Sequence, residues 1–178
     1  LEIMAAATIS AASVQPKLLM IIGLEMVWQT VRHGMHPLSA MGYALHGVLL
    51  SGVLGQIDAG YAFGQLALGL APQIRSTEYR VFVRYFVYAH IIHWKESVAA
   101  TLQPLRDLAS TGEFEYLALA AGLYSYFTWL IDGRDIATHE QSIAENLHLL
   151  EPFRETPLHY RYLLGLQYYH NLLGRADD

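Results

Sequence analysis

PLSAMGYALHGVLLSGVLGQIDAGYAFGQLALGL, from Pro37 to Leu70, carries a single charged residue, Asp58, and shows no sustained apolar–polar alternation. Without a period of two there is no half-buried strand, and the spacing predicts two helices over about 37–54 and 57–71, turning at Gly55. A helix that is apolar all round is buried in a larger stack or crosses a membrane. A span needs about 20 apolar residues, and Pro37 to Ile57 is long enough. However, it contains Ser39, Gly42, His46, Gly47, Ser51, Gly52, Gly55 and Gln56 and has no Lys or Arg at its edges. The middle of a helical stack is the expectation, with no membrane partner.

Outward from this pair, punctuation sets the other helices. Pro16 and Pro37 suit first-turn positions, where the missing N–H has no intrahelical acceptor to lose. Gly34, Gly55, Gly112, Gly133 and Gly174 end or separate apolar-periodic stretches, as caps and interhelical turns do. Helices are predicted over 2–14, 17–34, 37–54, 57–71, 76–94, 96–110, 113–132, 135–151 and 157–173. In the second, Glu25, Gln29, Arg32 and His33 share a polar face opposite Leu19, Ile22 and Met26. Val98, Leu102, Leu105 and Ala109 form a core stripe, and so do Ile136, Ile143, Leu147 and Leu150 when one turn is skipped. Val81 to Trp94 and Tyr160 to Leu173 are apolar over wide arcs and should pack on two sides. Pro104 falls inside the sixth helix, where a bend is expected.

The turns at Gly55, Trp94/Lys95, Gly133 and Gly174 are spaced by 39, 39 and 41 residues. Such a period predicts an all-α, antiparallel stack of helix hairpins, a tetratricopeptide-like right-handed α-solenoid of about nine helices forming one domain over 1–178. Met41 to Ile74 fits a degraded tetratricopeptide template. Gly55 takes the turn, Gly60 the small residue for close helix contact, Ala67 and Leu68 the packing pair and Pro72 the terminator. Gly64 stands where the template has a large residue.

Composition bounds the function. Apolar residues make up 53% of the 178 residues and charged residues 15%, against about 45–50% and about 25% in soluble domains, so more helix surface than usual must be covered. The net charge is −5 and the eleven Lys and Arg are scattered singly, which argues against a nucleic-acid partner. No cysteine is present, which removes disulfides, thiolate metal sites and thiol nucleophiles and makes the cytoplasm the default location. The opening at Leu1 in a helix-like pattern and the polar tail after Gly174 lead to the expectation of a segment of a larger protein. No secretory signal is recognisable.

The run from Pro37 to Leu70, together with IIHWKESVAATLQPL from Ile91 to Leu105, resembles the helical region of very large bacterial signalling proteins. The likeness continues more weakly through Gly112 to Leu130. In those proteins a serine/threonine kinase-like domain and an AAA-type signal-transduction ATPase domain precede the helical region, and GAF and histidine kinase domains often follow it. The resemblance implies a tetratricopeptide-like connector whose partners are the flanking domains of the same polypeptide. It brings no catalytic residue with it.

Chemistry-bearing groups are few. No phosphate loop is present, and Gly42, Gly47, Gly52, Gly60, Gly64 and Gly69 are better explained by close helix approach. His90, His93 and Glu96 lie one turn apart and could begin a metal site, but Glu96 falls at the expected turn and further ligands would be needed. No metal or other cofactor is therefore expected. His33 and His36 flank Gly34 as capping or solvent groups. Ser39, Ser51, Ser97 and Ser125 sit in helix-like contexts without a nucleophile elbow. Glu113 and Glu115 lie on different faces and read as solvated acids. Arg80 and Arg84, one turn apart, could hold an acidic partner, or pair within the chain, for example with Glu78.

Tyr116, Tyr124, Tyr126, Phe127 and Trp129, with Tyr160, Tyr162, Tyr168 and Tyr169, either pack a core or line a concave groove for another protein or a peptide. The candidate interaction surface is therefore Tyr116, Tyr124, Phe127, Tyr162 and Tyr169, with Arg80 and Arg84. These features lead to a non-enzymatic regulatory scaffold. Its rivals are a peptide-binding module acting in trans, a small-ligand sensor with an apolar pocket between helices, and an enzyme built on the His90/His93 face.

Overall fold

The computed structural model describes residues 1–110, 114–133, 135–147, 150, 154 and 157–175, and among them it is all-helical, without a strand. The helices are α1 (Glu2–Val14), α2 (Pro16–His33), α3 (Ser39–Val48), α4 (Ile57–Leu70), α5 (Thr77–His90), α6 (Ala99–Ala109), α7 (Phe114–Asp132), α8 (Ile136–Leu147) and α9 (Pro157–Leu172). The chain forms two compact units, residues 1–101 and 102–178, and the boundary falls within α6. The expected helix at 2–14 and the other helical positions are present, with shifted ends. Gly112 and Glu113 lie outside the described residues, as do most residues between Leu147 and Pro157.

In the first unit, glycine sets how closely helices meet. α2 and α3 run antiparallel. A Cβ on Gly23 would lie 2.6 Å from Leu45 Cβ, and one on Gly42 would lie 2.7 Å from Met26 Cβ. The Thr30 and Ser39 hydroxyls close the other end of this pair at 2.7 Å. α3 and α4 are antiparallel too: Gly47 meets Gly60, while the rings of Tyr43 and His46 pack on Phe63 at 5.7 and 4.6 Å. Gly64 approaches Ile91. Gly52 and Gly69 face open space instead, so close approach accounts for four of the six glycines grouped by sequence.

The interior beneath these contacts is Met26, Met41, Leu45, Phe82, Val83, Val87 and Ile91, each essentially inaccessible. Burying one such side chain contributes roughly 1.5–3 kcal/mol.

Several ends differ from expectation. Pro37 does not open a helix. It lies in the turn ahead of α3, where its carbonyl accepts from Ala40 N, and Ser39 Oγ accepts from His36 N at 3.1 Å. α3 gives way at Leu49–Val53 to a wide π-helical turn in which Leu54 N donates to Leu49 O and Gln56 N to Leu50 O. α5 stops at His90, and a 3₁₀ turn covers Ile92–Trp94. The outer side of α2 is not uniformly wet. Ile21, Trp28 and Val31 are 62%, 54% and 73% exposed beside Glu25 and Arg32, and the Arg32 guanidinium lies 5.4 Å from the centre of the Trp28 ring.

Lys95 and Glu96, just beyond α5, reach back to the start of α4. Lys95 Nζ is 2.6 Å from Asp58 Oδ1, and the Tyr61 hydroxyl donates to Glu96.

In the second unit, α7, α8 and α9 bury Ala118, Leu150 and Tyr162, with Ile143 and Leu147 packed against them. The Tyr162 hydroxyl donates to the Ala118 carbonyl beside Gly122. Gly133, in the turn after α7, has φ 61°, a conformation that costs a side-chain-bearing residue roughly 1 kcal/mol or more. Asp135 Oδ1 then caps α8 by accepting from Thr138 N at 2.7 Å. α6 continues through Pro104, so the Ala100 carbonyl lacks its usual donor four residues on.

Candidate functional site

A cavity of about 400 Å³ opens in the second unit. Its walls follow helical spacing: Arg106 and Ala109 on α6; Ala121, Tyr124, Ser125, Thr128 and Trp129 on α7; Thr138, His139, Ser142, Glu145 and Asn146 on α8. Residues three or four apart share a helix face, so each helix contributes one stripe. The volume lies in the range of small-molecule pockets, about 300–1,000 Å³.

His139 is the centre of this site. Only 2% of it is exposed. The Trp129 ring stacks on one face at 5.1 Å and 19°, and Tyr169 meets the imidazole edge-on at 5.0 Å and 88°. Burial holds the His139 pKa below its ordinary value of 6.5, because an apolar surround penalises the charged ring. The imidazole is therefore neutral at pH 7, with one donor and one acceptor nitrogen.

Neither His139 nitrogen has a hydrogen-bond partner among the described residues, and the same holds for Ser125 Oγ, Thr128 Oγ1 and Trp129 Nε1, all buried. Five such atoms therefore belong to side chains that line one cavity. Helical Ser and Thr residues ordinarily satisfy themselves by bonding back to the carbonyl four residues earlier. Thr8 does so to Met4 O at 2.7 Å, Thr30 to Met26 O at 2.8 Å and Ser142 to Thr138 O at 3.2 Å. Ser125 and Thr128 do not. A buried polar group without a partner costs roughly 1–3 kcal/mol, so the cluster is expensive for folding alone. Arg106 is exposed at the rim, and Glu145 accepts from Gln141 Nε2 at 2.9 Å.

The residues expected to form an interaction surface separate into different roles. Tyr124 lines the cavity and Tyr169 packs on His139. Tyr116, Phe127 and Tyr162 are buried, and Tyr162 belongs to the core of the second unit. Tyr126, Tyr160 and Tyr168 are the exposed members of the aromatic series. Arg80 is occupied within its own chain. Its guanidinium donates to Ile74 O at 2.7 Å, Arg75 O at 3.1 Å and Thr77 Oγ1 at 2.8 Å, which fastens the turn before α5. Arg84 is partly buried on the same helix.

Of the His90/His93/Glu96 set, Glu96 accepts from Tyr61, and His90 lies against Tyr85 and Phe86. Burial, with the nearby His93, lowers the His90 pKa to about 4. Among the described residues no three His, Cys, Asp or Glu side chains converge as metal ligands would, and no helix is long and apolar enough to cross a membrane.

His139 is the functional candidate that sequence alone did not single out, although a signal was present. The apolar stripe Ile136, Ile143, Leu147 and Leu150 skips one turn, and His139 occupies it, three residues after Ile136 and four before Ile143. No family model matches this chain, and no curated protein or solved structure matches it either.

Proposed function

We propose that the chain is a regulatory helical module whose second unit senses a small molecule, held in the cavity between α6, α7 and α8. Four side chains that line one cavity of small-molecule size carry five buried polar atoms without a hydrogen-bond partner among the described residues, and this supports the reading. A ligand that hydrogen-bonds them removes the penalty they impose on the folded state, so binding and stability are linked. The hairpins within each unit are tetratricopeptide-like in this proposal, in keeping with the turn spacing, and occupancy of the pocket would be passed to flanking domains of the same polypeptide. Sensing needs no catalytic group.

The test uses the three tryptophans, Trp28, Trp94 and Trp129. In a ¹⁵N-labelled sample screened against a library of small polar metabolites, binders should shift the Trp129 indole N–H signal and leave the other two unmoved. If no compound moves Trp129 selectively, and Ser125→Ala with Thr128→Val raises stability without other effect, the sensor proposal fails.

A further inference from the structure

Resting on the sensor reading above, the geometry points to the class of ligand: an uncharged, ring-sized molecule with an apolar body and an amide-like edge, where an acceptor sits beside an N–H donor. Charge is the first discriminant. The buried polar groups on the pocket wall are Ser125, Thr128, Trp129 and a neutral imidazole, while its two charged residues, Arg106 and Glu145, are exposed. An ionic headgroup placed among the buried groups would lose its hydration without a counter-charge, which is far costlier than burying a hydrogen-bonded neutral group.

Hydrogen-bond polarity is the second discriminant. Trp129 Nε1 can only donate, so the ligand must bring an acceptor, and the unprotonated nitrogen of His139 can only accept, so the ligand must also bring a donor. The hydroxyls of Ser125 and Thr128 can do either. The stacking of His139 provides the third. With Trp129 over one face and Tyr169 against the ring, the imidazole meets a ligand through its edge and not by stacking. Ala109, Ala121 and Tyr124 supply apolar wall for the ligand body.

Benzamide has these properties, benzoate keeps its shape but is anionic, and toluene keeps the ring without the polar edge. Titration of the full chain, followed at the Trp129 indole signal, should show saturable benzamide binding, with benzoate and toluene at least tenfold weaker. His139→Phe should weaken benzamide at least tenfold. Ser125→Ala, which removes only a hydroxyl and serves if His139→Phe does not fold, should weaken it by a smaller but measurable factor. Equal or tighter binding of benzoate would overturn the neutral class, and equal binding of toluene would overturn the polar edge, while either result leaves a ligand pocket in place. Failure of benzamide alongside success of another library compound would overturn the class only. Silence of Trp129 toward every compound would overturn both the class and the sensor.

Discussion

Gly47 of α3 and Gly60 of α4 lie backbone against backbone: a Cβ on Gly47 would come 2.8 Å from the Gly60 carbonyl oxygen, and one on Gly60 would come 2.7 Å from that of Gly47. Neither obstacle is a side chain that can swing aside.

Gly60→Ala should therefore destabilise the first unit by about 1–3 kcal/mol, the usual cost of overpacking, although alanine is the better helix former by about 1 kcal/mol. The Ser51 hydroxyl, which the added methyl would meet, would have to move as well. In the same helix Gly69 faces open space, and Gly69→Ala should leave stability unchanged or raise it by up to about 1 kcal/mol. Urea midpoints of the two variants check both directions.

Acid should weaken the first unit through His90. Its pKa falls from 6.5 to about 4 on folding, so the unfolded chain takes up the proton first. The stabilisation is complete above pH 6.5 and is lost as pH falls toward 4, about 3 kcal/mol in all. His90→Phe keeps a ring beside Tyr85 and Phe86 and should flatten the dependence between pH 7 and 5 in denaturation experiments.

Alkali acts on the second unit with the opposite sign. Burial pushes the Tyr162 hydroxyl from 10.0 up to about 12. Folding therefore favours the protonated phenol, and this contribution is intact below pH 10 and lost as pH rises toward 12. Tyr162→Phe should cost about 1 kcal/mol at neutral pH through the missing bond to the Ala118 carbonyl and should shallow the loss of stability above pH 10.

Glu140 ties α8 to the end of α9: its carboxylate meets His170 Nε2 at 3.2 Å and Arg175 Nη1 at 2.8 Å, and its side chain is only 15% exposed. Because Arg175 is largely in solvent, Glu140→Gln should cost about 1 kcal/mol at low salt and less at high salt. Thermal melts at two ionic strengths separate the ionic part from the rest.

Helix positions were legible in the sequence because turn chemistry is local. Gly34, Gly55, Gly133 and Gly174 all take positive φ, as their places after apolar stretches predicted. Ends set by packing were harder to read: Pro37 looked like a first-turn residue, yet the Thr30–Ser39 contact delays α3 by two positions. The aromatic series was ambiguous for a similar reason. Tyr116 and Tyr162 are indistinguishable in sequence from Tyr160 and Tyr168, and only tertiary contacts bury the first two and expose the others. The pocket depends on hydrogen bonds that Ser125 and Thr128 do not make, and sequence periodicity carries no record of an unmade bond.

The wide turn at Leu49–Val53 has a consequence for how this chain tolerates change. One residue of an α-helix corresponds to about 100° of rotation, so the wider turn re-aims the residues at the end of α3. Upstream, Gly42 and Gly47 keep their contacts on α2 and α4; downstream, Val53 and Leu54 point outward, 70% and 55% exposed. Deleting Val53, which faces solvent, should be survivable, whereas deleting Leu45 would rotate Gly47 away from Gly60 and unseat the hairpin.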